Sequence, residues 1–406
     1  MCCLVEKIVY PAGSARWRWH VKAALASTIS RAHDYGFAGS LARGRTRPLV
    51  LGYHRVVDDF ASVARTEMPS MLTSTRMFER HLDCVGKHFR FVTLDEIGAH
   101  MASGEPFDEP VAAVTFDDGY YDNYEYAFPI LKRKGIPSAV FVVTDLVGRP
   151  LWQVHDKLYH LVAKAFAAWD DPRGELSLLM RALGLPTATI TRDAVRTPLL
   201  AVSALLPTLP MIAVRNLMDG LEARVGNGFY NIPRTLDWPQ LTIMRRDGVT
   251  IGSHTKRHVS LPAESADIVA EELAGSREVL ERHLGQPIAH FAYPGGQFNA
   301  QVVEAVARAG YRFAYTACQH GDPAHRELTI ERLLLWEGSS VDGEGRFSPA
   351  ILNCQAQDLW PPARKCDRAH DHRRQDPARV SQLAEAAAAP LGDGPGAQSL
   401  GRGAHG

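Results

Sequence analysis

The feature that most constrains this chain is a repeating unit: a short apolar run, a turn, then a helical stripe. Residues 47–52 (RPLVLG), 111–116 (VAAVTF), 138–143 (SAVFVV), 249–253, 289–293, 311–316 and 330–335 read as buried strands, with a brief one at 91–93. Helical stripes span 75–88, 94–101, 124–134, 267–284 and 299–309, the last opened by the capping side chain of Asn299. Gly135, Gly285 and Gly310 close three of them, because a residue without Cβ takes the left-handed cap at no steric cost. Strand and helix in alternation predict a parallel α/β sheet or barrel.

Residues 151–237 break the rhythm. They are rich in Ala and Leu, carry Pro186, Pro198, Pro207 and Pro210, and read as a mostly helical insertion. The ends differ again. Residues 16–41 set Trp17, Trp19, Val21, Leu25 and Ile29 among Arg16, Arg18, Lys22 and Arg31, the spacing of an amphipathic helix. Such an arm docks on its own domain or lies on a membrane face. From Pro361 onward there is no Phe, Trp, Tyr, Ile or Met, so the segment lacks the apolar area to offset its ordering entropy and is expected to be disordered. The 406 residues thus divide into a helical arm (1–46), a barrel (47–345) with its insertion (151–237), and a low-complexity tail (346–406).

Composition excludes several classes. Lys plus Arg and Asp plus Glu both number 45, so the chain has no electrostatic footprint for nucleic acid. No apolar run approaches the roughly 20 residues of a membrane helix. The cysteines are Cys2, Cys3, Cys84, Cys318, Cys354 and Cys366, with no CxxC pair, which argues against a zinc ribbon or a disulfide framework. Scattered thiols and residues 1–10 without a signal-type apolar core lead to an expected cytoplasmic location.

Two clusters follow predicted strands. Asp117-Asp118-Gly119 sits after residues 111–116, and Ser253-His254-Thr255-Lys256-Arg257-His258 opens where residues 249–253 end. Taken alone, D-D-G is ordinary turn chemistry and two loop histidines are ordinary solvated groups. Taken together, Asp118, His254 and His258 form an N,N,O donor set that leaves a position for water, as catalytic zinc sites do. A metal ion lowers the pKa of bound water from about 15.7 to about 7, and the adjacent Asp117 would take its proton. A third element, Phe291-Ala292-Tyr293-Pro294-Gly295-Gly296, reads as an irregular turn able to aim a backbone N–H at an oxyanion, or simply as a tight strand-to-helix turn.

The TFDDGY run, the S-H-T-x-x-H run and the F-x-Y-P-x-G turn, in this order over residues 48–337, resemble the polysaccharide deacetylases, the NodB-homology group of carbohydrate esterase family four. The resemblance implies a distorted (β/α) barrel of about seven parallel strands and metal-dependent removal of N-acetyl, or O-acetyl, groups from a polysaccharide, oligosaccharide or glycan precursor. It implies Asp117 as catalytic base and Asp118, His254 and His258 as ligands of a divalent metal: Zn²⁺ first, with Co²⁺, Ni²⁺ or Mn²⁺ as alternatives. It also implies the Gly295 amide as the group that polarises the acetyl carbonyl.

Two features depart from the family pattern. Ala292 stands where an Arg usually orients the base, and Arg332 near the last strand is the expected substitute. The late L-x-H motif is replaced by Leu333-Leu334-Leu335-Trp336. His54, ending the first strand, is the expected general acid, since first and last strands are neighbours in a closed barrel. Tyr120, Tyr121 and Trp152 are candidates to stack on sugar rings. Two rival readings stand: a metal-dependent hydrolase of another non-peptide amide, and an inactive glycan-binding module.

Overall fold

The structure, a computed structural model, describes residues 16–34, 47–226, 228, 232–318, 321–322 and 324–359. Cys2, Cys3, Cys366, residues 35–41 of the expected arm and the segment from Pro361 lie outside them. Eight parallel strand segments form the sheet: β1 (Leu49–Tyr53), β2 (Val111–Phe116), β3 (Ser138–Val142), β4 (Thr250–Ser253), β5 (His290–Ala292), β6 (Phe313–Thr316), β7 (Ile330–Glu331) and β8 (Leu333–Leu334). Their spatial order is β7-β6-β5-β4-β3-β2-β1-β8, with the pair Arg90–Phe91 added beside β2.

β7 and β8 occupy opposite ends of that order, yet only Arg332 separates them in sequence. The chain pairs with β6 through Ile330 and Glu331, then with β1 through Leu333 and Leu334. One strand was predicted over 330–335. The structure splits it into two short segments that change partner at Arg332 and so draw the barrel nearly closed. At this seam Gly52 leaves room for the Leu334 side chain, which a Cβ would have to displace.

Strand side chains alternate between faces. Val50, Ala113, Ala139, Phe141, Ala292, Tyr315 and Ile330 form one buried cluster inside the ring. Leu49, Leu51, Tyr53, Val114, Phe116, Val140, Val142 and Phe291 belong to the larger cluster beneath the surrounding helices. Both strand faces are buried, which is why the strands read as continuous apolar runs.

Six helices matter below: α1 (Arg16–Asp34), α2 (Val154–Ala168), α3 (Pro172–Ala182), α4 (Pro198–Leu205), α5 (Met211–Val225) and α6 (Pro349–Ala356). Helices α2 to α5 are the insertion. Pro172 and Pro198 begin helices rather than break them, since the first helical N–H has no partner to lose. Asp171 and Thr197 cap the same two helices by accepting from Gly174 N and Leu200 N. Leu158, Leu161, Met180, Leu205, Leu217 and Leu221 form a core separate from that of the barrel. The insertion returns against the DDGY turn, with Tyr121 N donating to Arg234 O and Leu236 N to Gly119 O.

The tail expected from residue 346 begins with structure instead. Its helix α6 buries Ile351 and Cys354 against Ala26 of α1. The arm is thus held by its own chain, while Val21 and Leu25 remain exposed. Cys84, Cys318 and Cys354 are buried thiols. Among the described residues, no helix is long and apolar enough to cross a membrane.

Candidate metal centre and active site

The alternation that fills the barrel also aims its chemistry. On β2, Ala113 and Thr115 carry the inward phase, and Asp117 continues it one step past the strand. The same phase runs from Val50 through Gly52 to His54, through Gly252 to His254, and from Ile330 to Arg332. Four polar side chains therefore converge at the carboxyl end of one parallel ring, where catalytic groups gather in α/β barrels.

Asp118, His254 and His258 meet at one point. Their donor atoms all lie within 4.8 Å of one another. The His254 and His258 Nε2 atoms are 3.5 Å and 3.4 Å from Asp118 Oδ1. Both Asp118 carboxylate oxygens are buried without a hydrogen-bond partner. His254 Nδ1 donates to Ala292 O at 2.8 Å, which fixes the tautomer and leaves the Nε2 lone pair facing the carboxylate. Burial, together with the neighbouring Asp117 and Asp156 charges, pushes the Asp118 carboxyl well above its usual range. Burial keeps His254 and His258 neutral, with His155 and His254 adding to the effect on His258. Two neutral imidazoles and an orphaned carboxylate fit a divalent cation of the zinc type, whose charge would hold Asp118 ionised.

Adjacent Asp117 has the opposite surroundings. Arg332 Nη1 and Nη2 donate to Asp117 Oδ1 and Oδ2, both at 2.7 Å, in a buried bidentate fork. Burial raises the Asp117 pKa, but Arg332, then His254 and His54, outweigh it and hold the carboxyl well below its ordinary range. Arg332 is thus the arginine that contacts Asp117 in a chain with Ala at position 292.

His54 Nε2 lies 4.0 Å from Asp117 Oδ2. Burial lowers its pKa to about 3 against the pull of Asp117. Its resting form is neutral. Gly295 adopts φ +60° at the edge of the same pocket, a conformation that favours glycine.

The insertion contributes residues that sequence reasoning missed. His155, at the start of α2, places Nε2 3.6 Å from Asp118 Oδ2. It bonds Tyr120 Oη at 2.7 Å, and that hydroxyl donates to Asp156 at 2.7 Å. Gln153 Nε2 donates to the Asp118 carbonyl at 2.8 Å. The signal was the polar run Gln153-Val154-His155-Asp156, close behind the third strand. Tyr120 is fully buried in this network, so it does not face a sugar. Tyr121 lies beneath the Arg234 guanidinium, 3.7 Å from its ring centre, and Trp152 packs edge-on to His160.

Comparison with known proteins follows the same lines. A family profile described as polysaccharide deacetylase matches residues 104–172 and 208–314. YxkH of Bacillus subtilis (strain 168), grouped by name with the polysaccharide deacetylases, is 19% identical over 64% of this chain and 69% of its own length. A poly-beta-1,6-N-acetyl-D-glucosamine N-deacetylase of Staphylococcus epidermidis is 30% identical over 108 residues, 25% of this chain and 37% of that protein. Among solved structures, the deacetylase PplD of Streptococcus pyogenes aligns over 74% of this chain and 96% of its own, at 17% identity and a TM-score of 0.47. IcaB from Ammonifex degensii aligns over 77% and 98%, at 20% identity and a TM-score of 0.46.

Proposed function

Because the chain belongs to the polysaccharide deacetylases, hydrolases of non-peptide carbon–nitrogen bonds, we propose that it removes N-acetyl groups from a glycan substrate with a divalent ion, Zn²⁺ first, at Asp118, His254 and His258. The observation that carries this reading is the pairing of opposites. An orphaned buried carboxylate faces two imidazole nitrogens, next to a carboxylate locked by arginine.

The ion's chemistry is to polarise water and the acyl oxygen. Asp118 supplies the negative ligand, and His254, oriented by Ala292 O, supplies a fixed lone pair. Asp117 accepts a proton from the attacking water. Arg332 keeps that carboxylate ionised and stops it from rotating toward the adjacent ligand. His54, neutral at rest and 4.0 Å from Asp117, receives from Asp117 the proton that water gave up and delivers it to the leaving nitrogen as the C–N bond breaks. The Gly295 N–H, on its left-handed turn, donates to the developing oxyanion.

The test is acetate release from N-acetylglucosamine oligomers, with β-1,6-linked chains in the panel, by protein loaded with Zn²⁺ or Co²⁺. Asp117→Asn should lower kcat by about 10²–10⁴. Glycan binding with no release from any oligomer, after reloading with either metal, would establish the inactive binding module instead.

A further inference from the structure

The pocket that holds His54, Asp118, His258 and Gly295 does not end at the metal ligands. It continues under the insertion as a narrow cavity of about 80 Å³. Its walls are Met71, Val202, Leu206, Leu209, Met211 and Val214. Met71, Val202, Leu209 and Val214 are buried, and Leu206 and Met211 are half-buried.

We propose that the substrate carries an aliphatic chain beside the scissile amide and that this chamber receives it. The proposal rests on the deacylase reading above and narrows its substrate class.

Three observations favour an aliphatic occupant over further sugar units. Among the described residues lining the pocket there is no Trp, Tyr or Phe, so the usual stacking surface for a sugar ring is missing there. A sugar pushed between these walls would leave hydroxyls without partners, which costs affinity, whereas each buried methylene gains roughly fourfold. The polar residues of the lining, His54, Asp118, His155 and His258 among them, include two of the three proposed metal ligands, so an occupant of the apolar part continues directly from the reacting bond. Ser203 Oγ, buried without a partner among the aliphatic groups, can serve one ester or amide oxygen.

A further observation ties the chamber to this chain. The family profile matches residues 104–172 and 208–314 and leaves 173–207 unmatched. Val202 and Leu206, two walls of the chamber, lie in that unmatched stretch. The barrel mouth follows the family pattern, while part of the roof is this chain's own.

An aliphatic chain can reach this position from two sides: as the acyl group of the amide, or as an apolar aglycone on the sugar. Two substrate series separate them. The first compares N-acetyl- with N-octanoyl-glucosamine. The second compares methyl with octyl glycosides of N-acetylglucosamine, with an unsubstituted N-acetylglucosamine oligomer as reference.

The expected result is a rise in kcat/KM of tenfold or more in one series. Leu206→Asn and Met211→Gln, both at half-buried wall positions, should cut that rise at least fivefold. They should lower kcat/KM for the long-chain compound at least fivefold more than for the methyl glycoside, with the fold checked by the melting temperature. A rise on the acyl series assigns the chain to the acyl group, and a rise on the glycoside series assigns it to the aglycone. A second readout, calorimetric binding of the octyl and methyl glycosides, does not depend on turnover. Turnover of the oligomer with less than twofold chain dependence in both series overturns this proposal and leaves the deacetylase reading standing. Chain-dependent binding that the two wall variants abolish, with no turnover of any compound, keeps the chamber assignment and removes the deacetylase reading.

Discussion

The barrel mouth lines the pocket with His54, Asp118 and His258, while helices α4 and α5 of the insertion line it with Val202 and Val214. The two regions also differ in backbone. The described non-glycine residues with positive φ are Asp118 (+69°), Thr255 (+67°), His258 (+59°) and Asp358 (+57°). Three of these belong to the metal-site loops, and none to the insertion. Each costs roughly 1–2 kcal/mol relative to ordinary backbone. The barrel carries that strain because the parallel ladder and the buried hydrogen bonds of His254 and Asp117 leave the loops little choice. The insertion carries its own leucine core and only has to present a shape. Chemistry therefore resides where geometry is over-determined, and selectivity where packing is tolerant.

Several experiments can break or sharpen that division. The largest effect is expected for His258→Ala. Bound zinc should fall from near one per chain to near zero by metal analysis, and acetate release should vanish, while Leu206→Asn keeps its zinc. If Leu206→Asn lost its metal as well, the two regions would not be separable.

Next comes Arg332→Lys, which keeps a positive charge but loses the fork. We expect kcat to fall about 10²-fold with KM little changed, because the ammonium cannot hold both Asp117 oxygens at once. A double-mutant cycle with Asp117→Asn should show strong coupling. Additive effects would remove the orienting role of Arg332.

A smaller effect is expected for His155→Gln, where the insertion touches the barrel's chemistry. Residues that support a metal ligand typically change affinity by about 10–100-fold, and a zinc titration should find a loss in that range. An unchanged affinity would confine the insertion to shape alone.

The smallest effect concerns acid stability. His81 is buried beneath β1, its Nδ1 3.3 Å from Tyr53 Oη, and burial lowers its pKa to about 3. The unfolded value is near 6.5. Stability from this group is therefore complete above about pH 6.5 and is lost as pH falls toward 3, because only the unfolded chain takes up the proton. One proton corresponds to about 1.4 kcal/mol per pH unit. Urea unfolding between pH 7 and 5 should lose up to that much slope in His81→Leu; an unchanged slope would mean that His81 is protonated in the folded protein.

Much of this was legible in the chain. Asp117, Asp118, His254 and His258 were readable because they fall in two clusters that each open at the end of a short apolar run, and a parallel barrel gathers such loops at one end. The helical character of the insertion was readable from its composition, but its interior walls were not, because periodicity does not say which face looks onto a pocket. His155 was missed for the same reason. It sits on a helix in a stretch with no strand to aim it, and its relation to Asp118 appears only when α2 packs over the DDGY turn. Helix α6 is not legible in the composition of 346–406, because its eight residues are outweighed by the Ala-, Gly-, Pro- and Arg-rich stretch that follows them.

The sequence alone determined the alternation of strand and helix, the inward phase of the reacting side chains and the presence of a metal-type donor set. These are local properties, fixed by the two-residue period of a strand and by the chemistry of neighbouring residues. Tertiary structure decided that Arg332, 215 residues from Asp117, is its partner. The inward phase of Arg332 is local, but its meeting with Asp117 depends on β7 and β8 dividing at that residue to join β6 to β1. Closure of the ring is a long-range event, and no window of sequence contains both sides of the seam.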